Sequence, residues 1–295
     1  GQAAADESLN EIVNCLQGAN MVFITAGMGG GTGTGAAPII AKAAKELDIL
    51  TVGIVTVPFH FEGGLRLRQA ENGVEKLKKH VDSLIVINNN KLREVYGNLG
   101  FKTGFNKADE VLATAAKGIA EVITHHYNVN IDLRDAKTVL KDSGTAIMGS
   151  AKASGSDRAI KSVQAALDSP LLHDNNIKGA QQVLLKIVTG PGEKEIRMTE
   201  LFSIKKHIQD VAGSDVNIIE GIGVEDGMDD EISVTVIATG FKVNKNLGPA
   251  KPQTPKVYDL ENDETVVDEA IDEEVSDSSE VFDNGETPQA TLNFE

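Results

Sequence analysis

The sequence predicts an α/β protein with a doubly wound parallel sheet, a central helix, an α+β unit and an acidic tail. In the first hundred residues, short apolar segments rich in β-branched side chains alternate with helix-forming segments. This alternation is typical of a parallel sheet buried on both faces. A long stretch with helical periodicity then precedes a second group of strands and helices. From Lys242 onward the apolar content falls, which predicts the end of the folded part.

Three strands and two helices are predicted in the first unit. The strands are Met21–Ala26, Leu50–Val57 and Ser83–Asn88, and the helices between them are Pro38–Leu47 and Leu65–His80. Their alternation implies right-handed crossovers and a Rossmann-like sheet. Ligands of such sheets bind in the loops at the carboxyl ends of the strands. The loops at 27–35, 58–64 and 88–90 are therefore predicted to form one surface.

A long helix is predicted from Lys107 to His126, because apolar side chains recur there at helical spacing. The residues of this stripe are Ala108, Val111, Leu112, Ala115, Ile119, Val122 and Ile123. The helices predicted after it are 132–142, 157–167 and 198–211, and the strands are 145–150, part of 179–189, 217–224 and 231–241. These elements form the α+β unit. The neighbouring residues His125 and His126 do not suggest a metal site, since ligands on one helix face are four residues apart.

Length and charge narrow the possible classes of protein. The 295 residues are enough for two domains. Residues 257–295 contain 14 of the 44 acidic side chains and no Lys or Arg, so the rest of the chain is nearly neutral. A nucleic-acid partner is not expected, because no basic face is present. Direct insertion into a membrane is not expected either, because no run approaches the about 20 apolar residues of a membrane span.

The single cysteine, Cys15, cannot form a disulfide within the chain, which fits a reducing cytoplasm. It is predicted to be a small core residue of a helix at Glu7–Leu16. The segment Gln2–Glu7 does not resemble a signal peptide. Because the chain begins with glycine, the first residues of the gene product are expected to be absent.

Residues 27–35 contain six glycines between an apolar strand and a helix-forming stretch. Glycine lets the backbone adopt positive φ and approach another group closely. A glycine-rich turn at a helix start presents free N–H groups to an anion, and the helix dipole adds to the attraction. The segment therefore predicts a phosphate site.

Three kinds of phosphate loop can be compared with this segment. A Walker A loop requires a lysine where Ala36 stands, so that interpretation fails. Gly31, Gly33 and Ala36 satisfy the dinucleotide pattern G-x-G-x-x-A, but the next strand does not end in the acidic residue that binds the ribose. The third kind is the GGGTGTG signature of the tubulin and bacterial division GTPase superfamily. Residues 29–35 match it letter for letter.

Further segments of the chain resemble the FtsZ family, in the order found in that family. They are Met21–Pro38, Pro58–Gly63 with Arg66, Asn130–Val139, Ser169–Leu172 and Val234–Phe241. Asn88–Asn90, where many members have Pro-Asn-Asp, and the 92–104 segment look most similar to the Bacteroidota branch. The resemblance covers the whole of the predicted ordered part.

The resemblance implies a division into four parts. Residues 1–104 would be the C-terminal part of a GTPase domain, 105–136 a central helix with the catalytic loop, 137–241 an α+β C-terminal domain, and 242–295 a disordered acidic linker. The family's first strand and its own glycine-rich loop would lie before Gly1. The short peptide that docks membrane adaptors would lie after Glu295. A fragment of this kind is expected to bind nucleotide poorly and to be inactive alone.

The resemblance also assigns residues to GTP or GDP. The backbone N–H groups that would surround the phosphates belong to Gly29, Gly30, Gly31, Thr32, Gly33 and Thr34. The two threonine hydroxyls could also cap a helix that starts near Ala36. Glu62 would bind the ribose and Arg66 would lie near the phosphates, although the same two residues could form a simple i,i+4 pair.

For the base, the resemblance implies Asn89 and Asp109, since a carboxylate can accept both guanine N–H donors. Phe105 would stack on the base or be buried as a core aromatic. The implied catalytic residues are Asn130, Asp132 and Asp135, in the loop that enters the next subunit's nucleotide site. From the residues alone, Asp132 and Asp135 could equally cap a helix, because acids near a helix N-terminus are stabilised by its dipole.

These assignments imply a cytoplasmic GTPase that polymerises head to tail with itself and acts at the division site. Mg²⁺ is the expected companion of the phosphates. Division proteins and membrane adaptors would bind through a C-terminal tail. The alternatives are a non-catalytic filament scaffold of the same fold and an NAD-binding dehydrogenase domain, which would bind NAD as a monomer.

Overall fold

The computed structural model describes residues 1–97, 99–124, 129–168 and 177–241, which fall within one compact unit. Three of the sequence predictions lie outside these residues. They are the His125–His126 end of the central helix, the Ser169–Leu172 segment and the linker at 242–295.

The first part of the chain alternates helices and parallel strands. Its elements are α1 (Gln2–Glu7), α2 (Leu9–Leu16), β1 (Met21–Gly27), α3 (Gly31–Glu46), β2 (Leu50–Val57), a 3₁₀ turn (His60–Glu62), α4 (Gly64–Lys78), β3 (Ser83–Asn88) and α5 (Lys91–Tyr96). The strands β1, β2 and β3 pair in parallel in that order. Leu50, Val52, Ile54 and Ile85 are almost fully buried in this sheet. The predicted parallel sheet is confirmed, and the predicted strand bounds differ from those observed by at most one residue.

The second part of the chain begins with the long helix. Its elements are α6 (Phe101–Thr124), α7 (Leu133–Leu140), β4 (Gly144–Thr145), β5 (Ile147–Ala153), α8 (Arg158–Leu167), β6 (Gln182–Thr189), a 3₁₀ turn (Gly192–Lys194), α9 (Met198–Ala212), β7 (Asn217–Val224) and β8 (Ile232–Thr239). The strands β5, β8, β6 and β7 form a separate mixed sheet in that order. Only β6 and β7 are parallel in it. The predicted α+β unit is confirmed.

The helix α3 starts at Gly31, several residues before the predicted start near Ala36 or Pro38. The prediction was wrong because glycine is a poor helix former and proline favours a first helical turn. Here Pro38 lies inside the helix, and most of the glycine-rich segment forms its first turns. Thr32 and Thr34 therefore do not cap a helix at Ala36. The residue before the helix, Gly30, has no side chain with which to cap it.

Two further predictions about helices were wrong. The helix predicted at Glu7–Leu16 is present as α2, which starts two residues later at Leu9, but Cys15 is exposed rather than a core residue. In α2, Leu16 packs against Ala43, Ala44 and Ile49, so Cys15 lies on the other face. The central helix also begins at Phe101, six residues before the prediction.

The helix α6 packs between the two sheets. Ala108, Val111, Ile119 and Val122 are buried, in a core with residues of β2, β3, β5 and β8. Leu112, Ala115 and Ile123 pack against the same core. The predicted apolar stripe thus contacts both parts of the protein. No helix in the described ranges is long and apolar enough to cross a membrane.

The short strand β4 extends the first sheet beyond α7. Gly144 and Thr145 pair in parallel with Ser83 and Leu84, the first two residues of β3. The chain then enters the second sheet at Ile147. The division of the chain at residue 137 therefore stays a prediction, since residues on both sides of it contribute to the first sheet.

Candidate functional site

The carboxyl ends of β1, β2 and β3 form one edge of the first sheet, where the glycine-rich turn begins. The N–H of Met28 donates to the carbonyl oxygen of Thr56 at 2.9 Å, which joins the turn to the end of β2. Gly29 has φ of 98°, a value that disfavours other residues. Its N–H donates to the Thr34 hydroxyl at 2.9 Å. Thr34 therefore fixes the shape of the turn and closes it onto the first turns of α3.

The glycines of this segment have two different surroundings. A Cβ at Gly33 would overlap the carbonyl oxygen of Gly27, so this glycine is required by the close packing of α3 on β1. A Cβ at Gly29 would lie 3.0 Å from the carbonyl oxygen of Arg66. Gly30 and Gly31 have open space around the same position within the described residues. The α3 N-terminus is thus packed at Gly33 and has space at the Cβ positions of Gly30 and Gly31, while a Cβ at Gly1 would overlap the carbonyl oxygen of Gly31. Free N–H groups at a helix start of this kind attract an anion.

Glu62 and Arg66 form an ion pair at the start of α4. Arg66 Nη1 donates to Glu62 Oε2 at 2.8 Å, and the N–H of Phe59 donates to Glu62 Oε1 at 2.9 Å. The Glu62 side chain is only 13% exposed, whereas that of Arg66 is 59% exposed. The i,i+4 pair anticipated from the sequence is therefore present, and it holds the carboxylate in place beside the second loop.

Asn89 lies at the end of β3 and is buried. Its backbone N–H donates to the carbonyl oxygen of Val57 at 3.4 Å. Its side-chain Oδ1 is shielded from solvent and accepts no hydrogen bond within the described part of the chain. Leaving a buried acceptor unpaired costs about 1–3 kcal/mol.

The second and third loops are joined by Asn90, a residue that the sequence did not single out. Asn90 Oδ1 accepts from the N–H of His60 at 2.8 Å. Its Nδ2 donates to Asn88 Oδ1 at 2.9 Å and to the carbonyl oxygen of Pro58 at 3.3 Å. Three consecutive asparagines directly after a predicted strand were the available signal.

Phe105 belongs to a group of four phenylalanines beside these loops. Its ring centroid lies 5.2 Å from that of Phe59 and 5.0 Å from that of Phe101, and Phe61 completes the group. Phe105 is partly buried against the central core, while Phe61 and Phe101 are 64% and 75% exposed. A ring for base stacking is thus available here, although Phe105 already packs against its neighbours.

Asp109 is exposed on α6, one helical turn after Phe105. The nearest described cation in the sequence is Lys107, whose Nζ contacts Glu110 Oε2 at 2.7 Å. This hydrogen bond raises the pKa of Lys107. Lys107 is therefore held by Glu110 and by the ring of Tyr96, 4.7 Å away, which leaves the Asp109 carboxylate available to a ligand.

Asp132 and Asp135 cap α7 reciprocally. The N–H of Asp135 donates to Asp132 Oδ1 at 2.8 Å, and the N–H of Asp132 donates to Asp135 Oδ2 at 3.2 Å. The capping role considered from the sequence is thus present. The second oxygen of each carboxylate makes no hydrogen bond or ion pair with another described residue. Asn130 is exposed and lies just before them in the chain.

The structure brings most of the predicted nucleotide-binding residues to one edge of the first sheet, and the acidic pair lies at the start of α7. The helix α7 ends shortly before β4, which pairs with the amino end of β3. Its C-terminal end therefore lies at the opposite edge of the sheet from the glycine-rich turn. Val129, just before the pair, bridges to Ile222 of β7. The end of α7 that follows Asp132 and Asp135 is thus attached to the amino edge, and the segment before them is attached to the second sheet.

Two family descriptions match the chain. "Tubulin/FtsZ family, GTPase domain" matches residues 1–97, and "FtsZ family, C-terminal domain" matches residues 144–242. The two matches cover the glycine-rich turn with the first three strands, and the second sheet. They leave α6 and α7 between them.

Individual relatives agree with these matches. The chain is 45% identical over 245 residues to a protein named "Cell division protein FtsZ" from Mycoplasmopsis pulmonis (strain UAB CTIP), covering 83% of this chain and 62% of the relative. It is 44% identical over 246 residues to a protein of the same name from Wigglesworthia glossinidia brevipalpis, covering 83% and 63%. The chain therefore spans less than two thirds of the length of these curated relatives.

Solved structures also resemble this one. The structure described as "FtsZ dimer, empty" from M. jannaschii has a TM-score of 0.75 and 38% identity, covering 81% of this chain and 68% of that chain. CetZ from Methanosaeta thermophila strain DSM 6194 has a TM-score of 0.68 at 18% identity, covering 82% and 68%. At that identity CetZ shares only the fold.

Proposed function

The chain belongs to the FtsZ family, and we propose that it is part of a GTPase that polymerises head to tail into filaments at the division site. The observation that supports this function most directly is the α3 N-terminus. It is packed closely at Gly33 and has space at the Cβ positions of Gly30 and Gly31. Free N–H groups at a helix start, together with the helix dipole, favour a phosphate group.

The remaining nucleotide contacts come from the second and third loops. The Glu62 carboxylate already accepts one hydrogen bond on each oxygen, and a carboxylate oxygen can accept two. It therefore retains capacity for a ribose hydroxyl. Arg66 is largely exposed beside it and can offer its remaining N–H donors to a phosphate oxygen. In this proposal the two residues bind GTP as a fixed pair.

Guanine would be recognised by Asn89 and Asp109, with Phe105 beside the base. The buried Oδ1 of Asn89 lacks a donor in the described structure, and guanine offers N1–H and the 2-amino group. Asp109 is exposed and can accept a pair of such donors. Adenine has no equivalent pair of adjacent donors on that edge, which gives the site a reason to prefer guanine.

Hydrolysis requires an acid that positions the attacking water, and we assign Asp132 and Asp135 to this role with Asn130. Each of the two acids uses one carboxylate oxygen to cap α7 and keeps the other for water or a cation. Phosphoryl transfer depends mainly on positioning and electrostatics, so rigid carboxylates with such a free oxygen are suitable.

In this proposal the acids act on the nucleotide of a neighbouring copy, and the attachment of α7 is compatible with such a shared site. The helix α7 ends at the amino edge of the first sheet, whereas the phosphate turn lies at the carboxyl edge. A second copy placed head to tail would bring the acids of one chain to the phosphates of the next. A heterologous contact of this kind does not close on itself and extends into a filament.

Mg²⁺ would accompany the nucleotide. Within the described ranges, no group of three or more His, Cys, Asp or Glu side chains is arranged to hold a metal ion. This fits a Mg²⁺ bound mainly through phosphate oxygens and water, as is usual for this ion in nucleotide sites. The bound ion would neutralise charge on the phosphates. Division proteins and membrane adaptors that bind a C-terminal tail, and a cytoplasmic location at mid-cell, complete the proposal.

The proposal is tested by measuring GTP turnover per subunit against protein concentration, in the full-length protein that contains this chain. We expect turnover to begin only above a threshold concentration, at which the protein also sediments with GTP. The variant Asp135→Asn keeps an oxygen acceptor for the cap but removes the charge. It should bind GTP normally and lose turnover by about a hundredfold.

A control is Asp157→Asn, which makes the same change at an exposed aspartate directly before α8. This variant should hydrolyse GTP at the normal rate. Turnover that is linear from the lowest concentration and survives Asp135→Asn would overturn the shared site. GTP binding and filaments without any turnover in the unmodified protein would favour the scaffold alternative.

A further inference from the structure

We propose that Asn90 is a positioning residue for the nucleotide: it holds the second loop against the third, and so fixes the distance between the ribose contact and the base contact. The inference rests on the proposed function, since it concerns the same site. It adds a residue that lies outside the predicted set of nucleotide contacts. Its basis is the hydrogen-bond pattern of one side chain that uses both ends of its amide.

The acceptor end of Asn90 reaches the second loop. Its Oδ1 accepts from the N–H of His60 at 2.8 Å. His60 lies between Phe59, whose N–H donates to Glu62, and Glu62 itself. Asn90 therefore holds the backbone of the three-residue turn that carries the proposed ribose contact.

The donor end of Asn90 reaches both loops at once. Its Nδ2 donates to the carbonyl oxygen of Pro58 at 3.3 Å and to Asn88 Oδ1 at 2.9 Å. Asn88 Oδ1 also accepts from the backbone N–H of Asn90 at 3.0 Å, so the Asn88 carbonyl group is fully used. Asn89, the proposed base contact, lies between these two residues in the chain.

Many family members have Asp at this position with Pro at position 88; because Asn88 supplies an acceptor in this chain, an amide suits position 90 here. A carboxylate could still accept from the N–H of His60, but it cannot donate to Pro58 or Asn88. It would instead place a negative charge against two acceptor oxygens. Alanine would remove all three hydrogen bonds. The three side chains Asn, Asp and Ala therefore separate the contribution of the donor end from that of the acceptor end.

The experiment uses the full-length protein and a fluorescent GDP analogue, titrated with Asn90→Asp, Asn90→Ala and the unmodified protein. At about pH 8 we expect each variant to bind GDP about tenfold more weakly, since each loses hydrogen bonds from the clamp. Asn72→Asp is the charge control, because Asn72 is exposed on α4 and the change adds the same charge. Its affinity should equal that of the unmodified protein.

A second measurement separates positioning from a loss of folding. When the carboxyl group introduced by Asn90→Asp is protonated, its O–H can donate to Asn88 Oδ1. The affinity of this variant, relative to the unmodified protein at the same pH, should therefore recover as the pH falls from about 8 towards the ordinary carboxyl range of about 4–5. Asn90→Ala cannot recover in this way. In hydrogen exchange, the His60 amide should exchange faster in Asn90→Ala and remain protected in Asn90→Asp.

The outcomes are distinguishable. If the unmodified protein does not bind GDP or GTP, the proposed function is overturned, and this inference with it. If the unmodified protein binds and both Asn90 variants bind equally well, the positioning role alone is overturned. If both variants are weakened but Asn90→Asp shows no relative recovery at low pH, the donor end of Asn90 has no part in positioning and the clamp as described is wrong.

Discussion

The two kinds of glycine in the glycine-rich turn should respond in opposite ways to alanine. Gly33 and Gly31 are two residues apart in the same first turn of α3. A Cβ at Gly33 would overlap the carbonyl oxygen of Gly27 and lie 3.2 Å from its carbonyl carbon. A Cβ at Gly31 meets no described atom within 4 Å. The substitution Gly33→Ala thus tests packing, and Gly31→Ala tests the approach of a ligand.

The expected cost of Gly33→Ala follows from these surroundings. Overpacking costs about 1–3 kcal/mol, and the obstacle here is the backbone of a paired strand, which cannot rotate away. Because the clash is with backbone, we place the cost at the upper end of that range, and the gain in helix propensity from glycine to alanine offsets about 1 kcal/mol. We therefore expect a net loss of about 2 kcal/mol, which lowers the Tm by about 4–8 °C in a domain of this size. Gly31→Ala should leave the Tm unchanged or raise it slightly.

Gly31→Ala, which should leave the Tm almost unchanged, should weaken nucleotide binding. If the phosphates lie against the N–H groups at the start of α3, the methyl group of Gly31→Ala occupies their path. We expect at least about a tenfold loss of affinity for GDP without loss of stability. Thermal unfolding is followed by circular dichroism, and affinity by titration of the full-length protein. A Gly31→Ala variant that binds GDP normally would refute this position for the phosphates. A Gly33→Ala variant as stable as the unmodified protein would refute the close packing.

Three further predictions concern the Arg158–Glu200 pair and Asp82. Arg158 is 5% exposed and donates to both oxygens of Glu200, at 2.8 and 3.1 Å. Arg158→Ala should destabilise the fold by about 3–5 kcal/mol, because Glu200 would be left without its charged partner. Urea unfolding measures this loss. The hydrogen bond from Arg158 lowers the pKa of Glu200 in the folded protein. The stabilisation by the pair is therefore complete above the pKa that Glu200 has in the unfolded chain, and it is lost as the pH falls through the pKa in the folded protein. Glu200→Gln should make the free energy of unfolding less dependent on pH in this acidic range. The buried carboxylate of Asp82 accepts from the N–H of Thr51 at 2.8 Å. Asp82→Ala removes this acceptor and should lower the free energy of unfolding by about 1–3 kcal/mol in the same assay. Equal stability would mean that water replaces the carboxylate.

The first sheet could be predicted from the sequence because its signals are local and mutually consistent. Each of its three predicted strands is a short, β-branched run that is apolar on both faces, and each is followed by a turn and a helix. The start of α3 could not be predicted in the same way. The segment 31–35 consists of glycine and threonine, which have low helix propensity, and Pro38 follows shortly, so the sequence indicates a loop. The segment nevertheless forms helix, because α3 packs on β1 and α4. The contact of Gly73 with Thr34, where a Cβ would lie 2.6 Å from Thr34 Cγ2, is a tertiary constraint that has no local signal.

The predicted site residues could be identified by type and spacing, but the hydrogen bonds among them depend on the register of the sheet. Asn90 meets His60 only because β2 and β3 are paired so that Val57 lies opposite Asn88. A shift of one residue would reverse the faces of β3 and remove both the clamp and the buried orientation of Asn89. The sequence shows three asparagines in a row. It does not show which one is buried with an unpaired oxygen, which one joins the loops, and which one accepts from its neighbour.

The attachment of the C-terminal end of α7 to the first sheet depends on the smallest element of the fold. β4 has two residues, and its pairing with Ser83 and Leu84 places the end of α7 at the amino edge of the first sheet. Asp82, directly before β3, strengthens this attachment, since its carbonyl oxygen accepts from the N–H of Gly144 at 2.9 Å. A strand this short has no hydrophobic pattern that the sequence could reveal. The position of the C-terminal end of α7 is therefore set by backbone pairing, while the residues that would perform the chemistry are set by side-chain type.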